Sequence, residues 1–409
     1  MQLLYARGAG LDVHARQVVA CARLVADRAV TYHHLTVPTT TRGLLALADW
    51  LTTHQVTHVA MEATGVYWKP VWHLLEGHFE LLLVNAQHVR QVPGRKSDVK
   101  DAQWLADLLA VGLIRGSFVP PAPIHELRDL TRTRKQLIRE RSRHTQRIQK
   151  ILEDANLKLT ETIADIQGLT GRALLDAIVA GETDPERLAR LTQGRLKAPP
   201  AQLVDALHGQ VTAHHRFMLK LHLDQIAGIE AGRRTLEQQL MEALAPFRAA
   251  RDLLKTMPGI SDTVGAVILA EIGADVGPFP TAAHLVSWAG LAPRLDESAG
   301  KRRSTRTQPG APWLKTTLVQ AAWAAARKKN SYFHAQYLRL KSRRGPKKAI
   351  LAVAASMLTA VYHMLRDGVE FHDLGADYFA HHDKNQIAKR LLRRLRDLGV
   401  EVEVKTIAA

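Results

Sequence analysis

The sequence is poor in the features that mark secreted and membrane proteins. Cys21 is the one cysteine among 409 residues, which excludes intramolecular disulfides and zinc sites built on paired cysteines. We expect no apolar run to reach the roughly eighteen residues of a membrane helix. The first residues also lack the basic and apolar regions of a signal peptide. These absences predict a soluble, cytoplasmic protein that has no membrane partner.

Acidic residues are scarce relative to basic ones. The chain has 39 Asp and Glu against 56 Lys and Arg, which gives a net charge of +17 and a pI near 10.1. So basic a surface attracts polyanions, and we favour nucleic acid over an anionic lipid surface or a merely solvated one. No acid lies between Glu297 and Asp367, whereas residues 301–348 hold 14 Lys and Arg. Because solvated faces normally mix both signs, this segment predicts a track for a phosphate backbone.

The order of predicted elements indicates more than one domain, since single cores stop growing below this chain length. Residues 3–36 predict three antiparallel strands, and helices then alternate with two further strands. This is the element order of ribonuclease H-like α/β folds, and we place that domain at 1–120. We predict a helical, coiled-coil linker and oligomerisation region at 121–250, a mainly α domain at 251–366 and a basic tail at 367–409.

Two long segments carry apolar residues at helical spacing, roughly 126–155 and 216–245. They predict either an antiparallel hairpin or a dimerising coiled coil, and we expect a dimer or tetramer. From Met257, a Pro-Gly turn feeds another helix. That turn is compatible with a phosphate-binding helix-hairpin-helix and with an ordinary docked helix pair, and both alternatives stay open. A basic amphipathic helix and a last strand are predicted near the end of the chain.

Four carboxylates occupy notable positions in the first predicted domain. Asp12 lies within the first strand, Glu62 closes the fourth, and Asp98 and Asp101 are three apart at the start of a helix. In a ribonuclease H-like sheet the first and fourth strands are neighbours, and the helix after the fifth strand packs across them. The four acids could therefore converge on two Mg²⁺ ions, which would relieve their mutual repulsion. The alternative is that these acids cap a helix and occupy a turn.

Several segments closely resemble the DEDD transposases of bacterial insertion sequences, a family that includes the Piv-type DNA invertases: GLDVH, MEATGVYWKP, VNAQHVRQVPGRKSDVKDAQWLADLL, RDLTRTRKQLIRERSR and PGISDTVGAVILAEIG. The resemblance runs nearly end to end. It implies a RuvC-like first domain in which Asp12, Glu62, Asp98 and Asp101 are catalytic metal ligands. It also implies a nucleophilic serine in the C-terminal domain, where SWAGLAPRLDESAGKRRS places Ser298. The chain departs from the family pattern at Thr305, Gln308 and Pro309.

The resemblance implies a transposase or recombinase that cuts and rejoins donor and target DNA under the direction of a structured guide RNA. A protein that holds so much nucleic acid needs many phosphate contacts. Our candidate phosphate-binding residues are Arg90, Arg95, Lys96, Lys301, Arg302, Arg303, Lys328, Lys329, Arg343 and Arg344. We interpret five tryptophans as core or interface residues rather than base-stacking platforms: Trp68, Trp72, Trp288, Trp313 and Trp323. Two alternatives remain, a RuvC-like structure-specific nuclease and an inactive nucleic-acid-binding relative.

Overall fold

The structure is a computed structural model, which describes residues 3–27, 29–63, 65–84, 98–193, 198–294, 297–298, 300–304, 306–379 and 384–400. The chain divides into two compact units, residues 1–119 and 120–409. Within the second unit, the predicted boundaries at 250 and 366 stay predictions. The predicted last strand lies outside the described residues.

The first unit is a five-stranded mixed sheet with helices on both faces. The strand order is β3-β2-β1-β4-β5, in which β1, β4 and β5 are parallel and β2 is antiparallel to both of its neighbours. The first and fourth strands are therefore adjacent, as the sequence predicts. The elements are β1 (Arg7–Val13), β2 (Gln17–Ala26), β3 (Ala29–Pro38), α1 (Thr41–Thr53), β4 (His58–Glu62), α2 (Trp68–Leu75), β5 (Glu80–Val84) and α3 (Asp98–Ala110).

The two faces of this sheet carry different residues because successive side chains of a strand alternate between faces. Leu11, Met61 and Leu83 belong to a buried cluster with residues of α1 and α2. Ala60 and Val84 instead pack with the leucines of α3. The even-numbered positions of β1 and β4 therefore face α3, which decides where the carboxylates of these strands lie.

The second unit is mainly helical, in agreement with the sequence. Its elements are α4 (Ala122–Asp154), α5 (Leu159–Thr162), α6 (Leu169–Ala180), α7 (Pro185–Arg190), α8 (Pro200–Ala206), α9 (Ala213–Ala243), α10 (Arg248–Lys255), α11 (Asp262–Ile272), α12 (Ala282–Trp288), β6 (Glu297–Ser298), β7 (Lys301–Arg302), α13 (Pro312–Ala325), α14 (Tyr332–Arg344), α15 (Pro346–Asp367) and α16 (Lys384–Asp397).

The long helices α4 and α9 pair with each other in an antiparallel arrangement within one chain. Arg134 Nε lies 3.0 Å from Glu237 Oε1, and Arg141 Nε lies 2.8 Å from Glu230 Oε1. Nearer the end of α4, Ile148 and the α9 leucines join a buried cluster with the short helices between them. Each ion pair is half-exposed, so most of the stabilisation comes from this apolar burial.

The Pro-Gly turn that precedes α11 is held by close packing. Gly259 has φ +89°, and a Cβ there would lie 2.4 Å from the carbonyl oxygen of Ala321 in α13. Glycine is therefore required both for the backbone conformation and for the close approach. A docked helix pair accounts for this turn, and phosphate binding by its amides stays a hypothesis.

One described helix, α15, is long and apolar enough to cross a membrane by length and composition, which corrects the expectation that no segment reaches that length. Half of its apolar window is buried inside the protein. Val353, Met357 and Val361 are fully buried there and pack against neighbouring helices. Such burial is typical of a core helix.

Candidate active site and basic surfaces

Asp12 and Glu62 project from neighbouring parallel strands toward α3. Leu11 of β1 pairs with Met61 of β4, so Asp12 and Glu62 occupy the next position on their strands. Both follow the even-numbered register that faces α3. The Asp12 side chain is 13% exposed and Glu62 is half-buried. The carboxyl ends of β1 and β4 thus carry acids side by side on one face.

Gly10 brings the start of α3 to this end of the sheet. A Cβ on Gly10 would lie 2.1 Å from the Ala102 carbonyl oxygen and 2.7 Å from the Ala106 amide nitrogen. Two residues earlier on β1, Gly8 faces Leu109. The helix therefore runs antiparallel to the strand, and its first turn lies on the side of Asp12. A glycine inside a strand is a sequence signal for such close approach, which sequence reasoning overlooked.

The first turn of α3 carries the remaining two acids. Positions 98 and 101 repeat at helical spacing with Leu105 and Leu109, which pack on the sheet. Asp101 is half-buried, whereas the side chain of Asp98 lies outside the described residues. Among the described side chains, no group of three acids or histidines stands close enough to share a metal ion. The donor chemistry nevertheless fits Mg²⁺, since carboxylate oxygens are its preferred protein ligands.

His14 is a neighbour of this site that sequence reasoning missed. Its Nε2 atom lies 3.0 Å from Asp12 Oδ2, and its side chain is half exposed to solvent. His14 is the first residue after β1 and lies two positions beyond Asp12, so its side chain can return to the same face of the sheet. His14 is therefore the described imidazole that can orient Asp12.

Asp107 links α3 to β2 and β3 through two hydrogen bonds. Its Oδ1 accepts hydrogen bonds from Arg23 Nε at 2.9 Å and from the Tyr32 hydroxyl at 2.8 Å. Burial, and next the negative charge of Asp107, raise the pKa of the Cys21 thiol to about 12. Because the thiolate is the reactive form of cysteine, this raised pKa disfavours Cys21 as a nucleophile.

Ser298 lies near the tip of a two-stranded arm in the second unit. Its partner across the hairpin is Lys301. Gly300 in the connecting turn has φ +73°, and a Cβ there would meet no atom within 4 Å. The hairpin turn is therefore open on that side. The side chain of Ser298 itself lies outside the part of the chain that the structure describes.

The base of this arm is closed by small residues and one lysine. A Cβ on Gly310 would lie 2.3 Å from the Gly290 amide nitrogen, so the two ends of the arm touch through their backbones. Lys315 Nζ donates to the Gly290 carbonyl at 2.8 Å and to Thr307 Oγ1 at 2.6 Å. Burial lowers the pKa of Lys315. Lys315 was not a predicted site residue, because its partners are distant in sequence.

The predicted phosphate-binding residues fall into two groups. Arg90, Arg95 and Lys96 lie outside the described residues, as does the side chain of Arg302. The others are exposed, and within the described chain none has a carboxylate within 4.0 Å: Lys301, Arg303, Lys328, Lys329, Arg343 and Arg344.

The strand order of the sheet, with acids at the carboxyl ends of β1 and β4, agrees with the ribonuclease H-like fold that the sequence predicts. Comparison with known proteins gives the family. Residues 9–157 match a model described as Transposase, of the DEDD IS110 type, and residues 251–338 match the model described as Transposase IS116/IS110/IS902 family. The two segments together cover more than half of the chain. The chain belongs to this family of transposases, which are enzymes that act on DNA.

Individual relatives come from insertion elements. An uncharacterised 43.6 kDa protein of insertion element IS110 from Streptomyces coelicolor is 33% identical over 147 residues, which is 35% of each chain. A 44.8 kDa protein of IS116 from Streptomyces clavuligerus is 27% identical across 70% of this chain and 78% of its own. A putative transposase, y4pF/y4sB, from Sinorhizobium fredii is 24% identical across 77% and 74%. The first of these matches therefore covers about a third of the relative's length. DEDD transposases generally use a divalent metal.

Proposed function

We propose that this protein cuts and rejoins donor and target DNA, using a divalent-metal site in the first unit and a serine nucleophile in the second. The observation that carries the proposal is the register of β1 and β4, which sets Asp12 beside Glu62 on the face that receives α3. Two neighbouring, partly buried carboxylates on one face of a sheet repel each other unless cations or hydrogen bonds compensate them.

In this proposal Asp12, Glu62, Asp98 and Asp101 hold two Mg²⁺ ions. Bound metal would supply Lewis-acid stabilisation of the charge on the scissile phosphodiester. His14 would orient the Asp12 carboxylate through the contact at 3.0 Å. Gly10 would keep α3 close enough for its two acids to reach the carboxylates of the sheet.

Ser298 would hold the cleaved DNA strand covalently during strand exchange. Its Oγ would form a bond to phosphorus while a P–O bond of the DNA breaks, and the serine proton would end on the departing DNA hydroxyl. In rejoining, a DNA hydroxyl would attack the phosphoserine and return the proton to Ser298. Lys315 would keep the arm that bears this serine closed at its base.

We also propose that a structured RNA supplies the sequence specificity and that the protein acts as a dimer or tetramer. The excess of exposed cations without nearby carboxylates supports contacts to several phosphate backbones. Such contacts give affinity without reading base sequence.

A recombination assay tests the proposal. Donor and target DNA are incubated with Mg²⁺ and the non-coding RNA that flanks the gene, and wild type is compared with Asp12→Ala and Ser298→Ala. We expect joined products from wild type only. A protein-DNA adduct should be absent from Ser298→Ala reactions. If Ser298→Ala cuts and joins normally, the serine assignment is wrong.

A structure-specific nuclease is the second candidate, because the four acids all belong to one compact unit. It predicts that Ser298→Ala cleaves like wild type and that no variant forms an adduct.

A further inference from the structure

A basic pocket in the second unit lies between α4, α11 and α13. Its walls include Arg132, Lys135 and Arg139 from α4, Glu271 from α11, and Trp313 from α13. Three cations therefore face a single carboxylate. None of these residues is among the phosphate-binding candidates drawn from the sequence.

The carboxylate of this pocket is already fully engaged. Glu271 is 1% exposed, and its two oxygens accept hydrogen bonds from Arg132 Nε and Nη2, each at 2.9 Å. A second guanidinium, that of Arg128, also approaches this carboxylate, with Nε 3.7 Å from Glu271 Oε2. A buried carboxylate paired with two guanidiniums cannot also neutralise the cations at the pocket mouth.

Lys135 and Arg139 form that mouth. In the described part of the chain neither has a carboxylate within 4.0 Å. The Arg139 guanidinium lies 5.0 Å from the centre of the Trp313 ring, and that of Arg132 lies 5.8 Å from it. Cation-π contact of this kind restrains a guanidinium and leaves its N–H donors free to bind an anion.

The start of α13 adds a further attraction for anions at the same place. The helix has 14 residues, begins with Pro312 and has no side-chain cap at Ala311. Its first-turn amides therefore keep the partial positive charge of a helix N-terminus. Trp313 stands in this first turn, so the amides and the restrained guanidinium belong to one site.

The cationic surface continues along α4 beyond the pocket. Arg143, Arg147 and Lys150 follow Arg139 at intervals of three or four residues, and all are exposed. Four residues of helix advance about 6 Å along the axis. Arg143 lies half a turn away from Arg134, which pairs with α9, so it faces away from that helix.

We propose that this pocket binds a backbone phosphate of a nucleic acid, and that the cations further along α4 hold the neighbouring phosphates. Arg139 and Lys135 would donate to the phosphate oxygens above Trp313, and the α13 amides would face the same anion. The inference deepens the proposed function by naming where the second unit grips nucleic acid. It does not depend on DNA cutting or on the metal site.

The test measures equilibrium binding by fluorescence anisotropy in EDTA, so that cleavage is excluded. The probes are a labelled DNA duplex, the same sequence as single-stranded DNA, an RNA hairpin, and poly-glutamate as a non-nucleic polyanion. The variant is Lys135→Gln with Arg139→Gln. The matched control is Arg187→Gln with Arg190→Gln on α7, which removes two exposed positive charges elsewhere. Circular dichroism melting checks that all proteins are folded.

We expect the pocket variant to bind at least one nucleic acid roughly tenfold more weakly. The slope of log affinity against log salt should also fall by about 2 units, because two phosphate contacts are lost. Trp313→Leu should weaken binding of the same probe, and the control should change it little. The probe most affected identifies the nucleic acid.

Two results would overturn the inference. One is an equal effect of the pocket variant and the control on every nucleic acid, which would mean that only total charge matters. The other is a selective loss of poly-glutamate binding, which would make the pocket a site for an acidic protein segment. In both cases the recombination assay would still decide the proposed function separately.

Discussion

The two units of this protein differ sharply in charge. Residues 1–119 hold 11 Lys and Arg against 9 Asp and Glu, whereas residues 120–409 hold 45 against 30, so the net charges are +2 and +15. The first unit uses its acids at the carboxyl ends of two strands, and the second uses its bases on exposed helices and an arm. In the proposed function, the first unit would supply the metal chemistry and the second would supply most of the contacts to nucleic acid.

The largest expected effect tests the acidic side of this comparison. Asp12→Asn keeps the size of the side chain but removes the charge beside Glu62, so cutting should fall by roughly 10³-fold or more. Mg²⁺ should raise the melting temperature of wild type and not that of the variant, because only metal bound to the native state stabilises it. Asp49→Asn, at an exposed position on α1, is the control. Metal stabilisation that survives in Asp12→Asn would remove Asp12 from the site.

The second prediction concerns the packing that creates the site. Gly10→Ala should destabilise the first unit by about 2–3 kcal/mol, because the new Cβ meets backbone atoms of Ala102 and Ala106 that cannot rotate away. Gly8→Ala, on the same strand and face, has its one tight contact with the flexible end of Leu109 at 3.2 Å, since the His58 carbonyl oxygen lies at an ordinary 3.7 Å, and it should cost much less. Urea unfolding of both variants measures the difference. Equal losses would show that α3 does not pack as tightly at Gly10 as described.

The sequence predicted the elements of the first unit better than their contacts. Valine-rich runs and turn residues located β1, β2 and β3, and the fold class implied that β1 lies beside β4. The alternation of faces then followed from a period of two. The close approach at Gly10 was not predicted, because the atoms it meets are about ninety residues further along the chain.

The second unit shows the same limit more strongly. Helical periodicity located α4 and α9, but it could not pair Arg132 with Glu271, which lie 139 residues apart. Trp313 was interpreted as a core or interface residue, and the structure shows it half-buried under two guanidiniums. Patterns along a chain report which face is apolar, whereas these contacts depend on how three helices meet.

A third, smaller effect should come from the base of the serine arm. Lys315→Met keeps the aliphatic stem but removes the donors to Gly290 and Thr307, which should cost about 1–3 kcal/mol. Joining should fall more than DNA binding, because the substitution loosens the arm and leaves the exposed cations in place. Thr307→Val, which removes only one of the two acceptors, should have a weaker effect. Unchanged adduct formation in Lys315→Met would show that the arm holds its position without this lysine.

The smallest expected effect is a pH dependence of the stability of the second unit. His144 Nδ1 lies 3.2 Å from His222 Nδ1 between α4 and α9, and the pKa of His222 is lowered by burial and then by the charges of His144 and Arg147. The unfolded imidazole keeps its ordinary pKa of 6.5, so below that pH the unfolded chain binds more protons than the folded one. The free energy of unfolding of the second unit should therefore fall as pH falls below 6.5.

His222→Gln should flatten this dependence, whereas His208→Gln, which removes an exposed imidazole outside the helix pair, should leave it in place. Urea unfolding followed between pH 7.5 and 5.5 measures both variants against wild type. A proton added to the second unit joins a net charge of +15, and bound nucleic acid would offset that excess of positive charge. Addition of DNA should therefore reduce the fall in the free energy of unfolding that wild type shows at low pH. An identical fall with and without DNA would show that bound nucleic acid does not offset the added protons.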